Sequence, residues 1–305
     1  NIVRKGSNNM LNEKYIKKAK TLLEALPYIK KFHGKTVVIK YGGSLMFNDE
    51  LKPEFARDIV LLKYVGINPV IVHGGGKEIS KWLEKVGKKP KFIEGLRVTD
   101  EETMEITEMV VSGKINNEVV MLLNQNGGSS IGLSGKDARL FTAKKIKSKK
   151  DLDLGFVGDI TVMDISLLDT LAQKGLVPVI SPVACNEEGE SLNLNADHVA
   201  SELAQSLNAM KLIYLTDVDA VKVDGKDLRQ IEIKKAKKLL DHPDIKDGML
   251  PKLSCSIDAL EGGVSNVHII NGGLENSVIL EMFTDAGIGT MFYKEELKKG
   301  DGSET

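Results

Sequence analysis

Much that would announce a familiar chemistry is missing from this chain. Only two cysteines occur in 305 residues, Cys185 and Cys255. Their spacing suits neither a disulfide framework nor a metal site, so reduced thiols in a cytoplasmic compartment are expected. No run approaches the ~20 apolar residues that cross a bilayer, and no apolar signal-peptide core follows the N-terminus. Lys+Arg number 42 and Asp+Glu 43, a formal net charge of −1. That balance excludes a global pull toward nucleic acid or anionic membrane. The five histidines form no His-Glu-x-x-His pattern or other metal-ligand spacing, so no zinc centre built by the protein is expected. A Gly-x-Ser-x-Gly elbow is missing, which disfavours a hydrolase triad. Neither Gly-x-Gly-x-x-Gly nor the P-loop pattern occurs, which counts against a dinucleotide-dependent dehydrogenase.

What is present reads as an ordinary globular chain, 42% apolar and 28% charged, with room for one large α/β unit or two lobes. Residues 1–9 are polar and are expected to be an expression remnant or a disordered tail. Residues 10–33 follow as an amphipathic helix carrying Tyr15, Ile16, Ala19, Leu22, Leu23 and Leu26 on one stripe, which Pro27 should kink or break. That stripe suits two roles, capping its own domain or packing on a neighbouring subunit. Beyond it, strands at 36–41, 69–73, 129–133, 177–181, 212–216, 267–270 and 289–293 alternate with helices. One helical run should extend from Glu101 to Asn124, opened by Thr99-Asp100 as an N-cap. Such alternation predicts a mainly parallel central sheet with helices on both faces, divided softly near residue 190.

Two glycine turns carry the chemistry. Lys40-Tyr41-Gly42-Gly43-Ser44 follows the apolar run Thr36–Ile39, and His73-Gly74-Gly75-Gly76 follows Pro69–Val72. A strand that breaks into glycines before a helix aims bare N–H groups at an anion. Lys252 ends the segment Asp247-Gly248-Met249-Leu250-Pro251-Lys252 near the other end of the chain. Two such turns and two lysines suit a phosphoryl group in transfer. Asn193-Leu194-Asn195-Ala196-Asp197 opens a helix and fits both an ordinary N-cap and a polar ligand site in which Asp197 holds the lysines. Arg97 fits a solvated surface cation or a carboxylate clamp. Asp217, at the end of an apolar strand, fits a nucleotide or Mg²⁺ contact or a simple turn.

Taken together, the two glycine turns, Gly95-Leu96-Arg97-Val98-Thr99-Asp100, the Asn-x-Asn-Ala-Asp segment and the segment ending at Lys252 resemble the N-acetyl-L-glutamate kinases of the amino-acid kinase superfamily. The resemblance runs in order from about Leu22 to Phe292. It implies a three-layer αβα sandwich, with an amino-acid lobe over 34–190, an ATP lobe over 191–295 and a polar tail over 296–305. It implies ATP and Mg²⁺ as cofactors and N-acetyl-L-glutamate as substrate. Lys40 and Lys252 would stabilise the transition state and Asp197 would organise them. Gly75, Gly76, Arg97, Asn193 and Asn195 would hold the amino acid, Gly43 would donate to the phosphoryl oxygens, and Gly42 and Asp217 would meet the nucleotide. The leading helix and the Glu281–Thr290 segment resemble those of arginine-inhibited hexamers, trimers of dimers. By position Lys30, Lys211, His268, Glu281 and Gly287 would line the arginine site, with Asn276 standing where many relatives carry histidine. Another amino-acid or carbamate kinase, or a catalytically silent arginine sensor, are the alternatives.

Overall fold

The computed structural model of the chain describes residues 2–42, 45–46, 48–246, 248–285 and 287–294, and of residues 2–12 only the backbone. The elements open with α1 (Ile2–Phe32), β1 (Thr36–Tyr41), α2 (Leu51–Tyr64), β2 (Asn68–His73), α3 (Gly76–Lys85), β3 (Phe92–Ile93), β4 (Leu96–Arg97) and α4 (Glu101–Glu108). Next come α5 (Asn116–Gln125), β5 (Ser130–Ser134), β6 (Phe141–Lys147), β7 (Asp153–Met163), α6 (Ser166–Gln173), β8 (Val177–Ser181), β9 (Val183–Cys185) and β10 (Ser191–Asn193). The remainder is α7 (Ala196–Ser206), β11 (Lys211–Thr216), β12 (Val221–Val223), β13 (Lys226–Leu228), β14 (Gln230–Glu232), α8 (Ile233–Leu239), α9 (Met249–Glu261), β15 (Asn266–Asn271), α10 (Ser277–Phe283) and β16 (Gly289–Tyr293).

Eight strands join in one sheet in the order β14-β16-β15-β11-β1-β2-β8-β5. All neighbours are parallel except β15 and β16. Period-two alternation sorts the apolar residues between the faces. Val38, Leu212 and Tyr214 pack on one side with Val199 and Ala200 of α7 and Leu253 of α9. Val37, Ile39, Ile213 and Leu215 pack on the other with Ile59 and Leu62 of α2 and Val119 and Leu123 of α5. The result is the expected three-layer αβα sandwich.

This alternation decides where the functional side chains go. Lys40 shares a face with Val38 and so emerges toward α7 and α9. His73 shares a face with Ile71 and emerges toward α5. β1 sits centrally, with β2 on one side and β11 on the other. Strand order reverses there, and a crevice opens beyond the carboxyl ends at such a point.

Several features differ from the sequence reading. The run from Glu101 is interrupted by a π-helical stretch, Met109–Ile115, before α5. Where short strands were expected, β6 and β7 run for 7 and 11 residues and close with β9 and β10 into a four-stranded barrel. Helix α1 runs unbroken through Pro27, and its backbone begins at Ile2, so residues 2–9 are helical where a tail was expected. One missing N–H on an exposed helix costs about 3 kcal/mol, which neighbouring turns can absorb. The α1 stripe stays exposed: Tyr15, Ile16, Leu22, Leu23 and Leu26 face solvent, whereas Phe32 is buried.

Asp58 of α2 is buried and accepts hydrogen bonds from the N–H groups of Val278 (3.1 Å) and Ile279 (3.4 Å) at the start of α10. Burial outweighs those donors and pushes its carboxyl up to about 7 from the ordinary 3.8. The folded chain therefore keeps a proton that the unfolded chain has released. The stability this supplies is complete at pH below about 4 and is lost as the pH rises through about 7. Asp58→Asn keeps the acceptor but cannot titrate. Urea unfolding should show wild type losing stability relative to this variant between about pH 4.5 and 7.5. A constant difference would mean that Asp58 titrates in the usual carboxylate range.

Candidate active site

Three side chains from three elements meet on the face chosen by β1. The Lys40 ammonium lies 2.8 Å from Oδ1 of Asp197, and the Lys252 ammonium lies 2.9 Å from Oδ2 of the same carboxylate. Lys40 leaves the carboxyl end of β1, Asp197 sits in the first turn of α7, and Lys252 in that of α9. All three are largely buried. Asn195 caps α7, its Oδ1 accepting from the N–H groups of Asp197 (2.8 Å) and His198 (3.2 Å). Tyr214 donates its hydroxyl to the Asp197 carbonyl at 3.1 Å. The helix N-terminus adds positive potential at this carboxylate. Burial opposes ionisation of Asp197, yet the charges and hydrogen bonds of Lys40 and Lys252 hold its carboxyl below the ordinary value. Gly42 leaves room for this pairing: a Cβ there would stand 2.6 Å from the Lys40 Nζ, so a larger residue would shift the ammonium.

Beside this trio lies a cavity of about 340 Å³ lined by Lys40, Gly74, Gly75, Gly76, Arg97, Asn193, Asn195 and Asp197. The Gly76 end of the turn opens α3, where the first N–H groups have no partner within the helix. Arg97 on β4 donates through Nη2 to the Gly76 carbonyl (2.7 Å) and the Ser80 hydroxyl (2.9 Å). Its guanidinium stacks over Phe92 with 4.7 Å to the ring centroid, while its buried Nη1 has no protein partner. A clamped guanidinium with one free edge suits a carboxylate ligand. Asn193 at the end of β10 donates to the Thr99 hydroxyl at 3.2 Å. Val157 of the barrel strand β7 and Val111 of the π-helical stretch complete the walls.

The structure thus gathers Lys40, Lys252, Asp197, Gly75, Gly76, Arg97, Asn193 and Asn195. Gly42 adjoins the lysine, whereas Gly43, Ser44 and Asp247 lie outside the described residues. Asp217 is exposed beyond the end of β11, away from the lining of this cavity. The sequence reading named neither Ser80 nor Phe92, which brace Arg97, and took Thr99, which holds Asn193, only as part of an N-cap and a motif. Ser80 stands four residues after Gly76, one helical turn along α3, and that spacing was the available signal.

A second cavity of about 740 Å³ is lined by Lys211, His268, Glu281 and Gly287, with Tyr28, Lys31 and Phe32 from α1. Lys30 was expected there but is not among its lining residues. Glu281 pairs with Lys211 at 3.0 Å and with Nδ1 of His268 at 2.7 Å. Burial opposes its ionisation, yet these partners hold the Glu281 carboxyl below the ordinary value.

A profile described as the amino acid kinase family matches residues 35–271. An acetylglutamate kinase of Syntrophobacter fumaroxidans is 50% identical over 285 residues, covering 90% of this chain and 96% of its own length. A solved N-acetylglutamate synthase of Neisseria gonorrhoeae, complexed with coenzyme A and N-acetyl-glutamate, superposes with a TM-score of 0.82 at 29% identity. The match covers 91% of this chain but 63% of the synthase. The same enzyme complexed with coenzyme A and L-arginine superposes with a TM-score of 0.79 at 28% identity, covering 91% of this chain and 65% of the other.

Proposed function

This chain belongs to the acetylglutamate kinases of the amino acid kinase family, and we infer that it transfers the γ-phosphoryl of ATP to the side-chain carboxylate of N-acetyl-L-glutamate. The observation that carries the reading is the meeting of two lysines on one aspartate beside a cavity bearing a half-free arginine. A glutamate side chain titrates near ~4.3, so the nucleophile is already ionised at neutral pH and no general base is needed. A carboxylate oxygen forms the new bond to phosphorus as the bond to the ADP oxygen breaks. Catalysis then rests on alignment and on neutralising the equatorial oxygens.

In this reading the 34–190 lobe takes the amino acid and the 191–295 lobe takes ATP. Arg97 offers Nη1 to the α-carboxylate, and Gly75, Gly76 and Asn193 supply donors along the backbone of the ligand. Asn195 acts through Asp197, Gly43 would donate to the phosphoryl oxygens, and Gly42 and Asp217 belong on the nucleotide side. Mg²⁺ would enter with ATP. Asp197, the carboxylate lining this cavity, is engaged by both lysines, which suits a metal held by phosphates and water. Coupled ADP-release assays are expected to give turnover with N-acetyl-L-glutamate and little with L-glutamate or carbamate. Arginine binding without ATP turnover would favour the silent sensor instead.

Arginine is the proposed effector, bound in the second cavity where Glu281 would face its guanidinium. The exposed stripe on α1 supports assembly with other copies into a hexamer. Glu281→Gln is expected to raise the arginine concentration for half-inhibition at least tenfold, which the same assay measures. Removing residues 1–33 should lower the mass found by sedimentation equilibrium, whereas an unchanged mass would exclude α1 from assembly.

A further inference from the structure

His73 ends β2 inside the His-Gly-Gly-Gly turn, is fully buried, and does not touch the cavity. Its two ring nitrogens are both engaged. Nδ1 lies 2.9 Å from the Gly74 carbonyl oxygen, and Nε2 lies 3.0 Å from Nδ2 of Asn116 on α5. The same Asn116 amide nitrogen donates to the Val179 carbonyl of β8 at 2.9 Å. A carbonyl oxygen only accepts, so Nδ1 must carry the ring hydrogen. The atom of Asn116 that faces Val179 must for the same reason be the nitrogen, which leaves Nε2 as an acceptor. The two constraints agree on one neutral tautomer. The seat of Asn116 is built for it: a Cβ on Gly132 of β5 would stand 1.8 Å from the Asn116 Oδ1. Burial and the charge of Lys40 hold the imidazole down to about 4, against the raising effect of its bond to Gly74.

The consequence falls on the peptide between Gly74 and Gly75. In a trans peptide the C=O and N–H point in opposite directions. With the Gly74 carbonyl held toward the ring, the Gly75 N–H is turned away from it, and Gly74, Gly75 and Gly76 all line the cavity that the ring itself does not touch. Glycines resist peptide rotation less than other residues. A flipped peptide would present a carbonyl oxygen where an anionic ligand needs a donor. We propose that His73, fixed in its Nδ1–H tautomer by Asn116, is a positioning residue that locks this peptide and aims the Gly75 N–H at the substrate. The proposal rests on the reading of the cavity as the substrate site.

The isosteres of histidine separate this role from packing. The amide nitrogen of Asn can reach the place of Nδ1, and that of Gln the place of Nε2. His73→Asn is expected to keep kcat/KM for N-acetyl-L-glutamate within about fivefold of wild type, because the bond to Gly74 survives. His73→Gln is expected to lose about 10²-fold, the scale of removing a preorganised donor, with the KM for ATP little changed. Nitrogen-15 NMR of the wild-type protein should find the ring protonated on Nδ1 alone. An Nε2–H tautomer, or equal activity losses in the two variants, would overturn the positioning role. Arg97→Ala tests the substrate-site reading by itself. An unaltered KM for N-acetyl-L-glutamate there would overturn that reading, whereas a raised KM together with equal Asn and Gln variants overturns only the role of His73.

Discussion

Lys40→Ala should lower kcat by about 10²–10³ or more, with the chain still folded and the KM for N-acetyl-L-glutamate shifted far less. The magnitude is that of deleting a preorganised donor aimed at charge developing in the transition state. Lys40 is suited to that role because the strand, not a loop, delivers it. It sits at the end of a central strand paired on both sides, and its ammonium is held 2.8 Å from Asp197. Uniform binding of substrate would raise KM instead, so the split between kcat and KM is informative. Lys252→Ala should behave alike, since its ammonium contacts the other oxygen of the same carboxylate at 2.9 Å. Steady-state kinetics and a thermal unfolding scan on each variant are sufficient. Near-normal turnover in either would remove that lysine from the chemistry.

Asp197→Asn should cost turnover almost as much, by about 10²-fold, although the residue need never touch substrate. Two ammonium groups on one side of a cavity repel each other, and the carboxylate between them is what sets their spacing. An amide of the same shape takes away the charge and offers one lysine an N–H group in place of an acceptor. Removing the carboxylate that both lysines share leaves buried ammonium charge uncompensated, which also costs about 3–5 kcal/mol of stability. The unfolding midpoint should therefore drop, unlike that of the lysine variants, where the carboxylate keeps one partner. Loss of stability with turnover retained would show a structural anchor only.

The central strands were legible because they are apolar and end in glycine. Thr36–Tyr41 and Asn68–His73 fall within a residue of the expected spans. Lys40 and Asp197 were each visible, but their meeting depends on alternation along β1 and on α7 and α9 covering one face, which pattern alone does not place. The four-stranded barrel escaped notice because β9 and β10 hold only three residues each. The π-helical stretch keeps nearly the apolar spacing of an α-helix, yet it brings Val111 and Ile115 to where a Cβ on Gly75 would stand, 2.9 Å from each. His73 and Asn116 are joined only through the pairing of β2 with β8 and the packing of α5 over them. No local spacing encodes that.

The decisive experiment is a crystal structure of the protein with ADP, aluminium fluoride and N-acetyl-L-glutamate, where the planar fluoride stands for the phosphoryl group in flight. Both Lys40 Nζ and Lys252 Nζ should lie within about 3 Å of fluoride atoms, with Asp197 still between them and Arg97 on the α-carboxylate. Fluoride bound elsewhere, with either amine left on Asp197 alone and beyond hydrogen-bonding reach, would refute phosphoryl transfer between the two lysines.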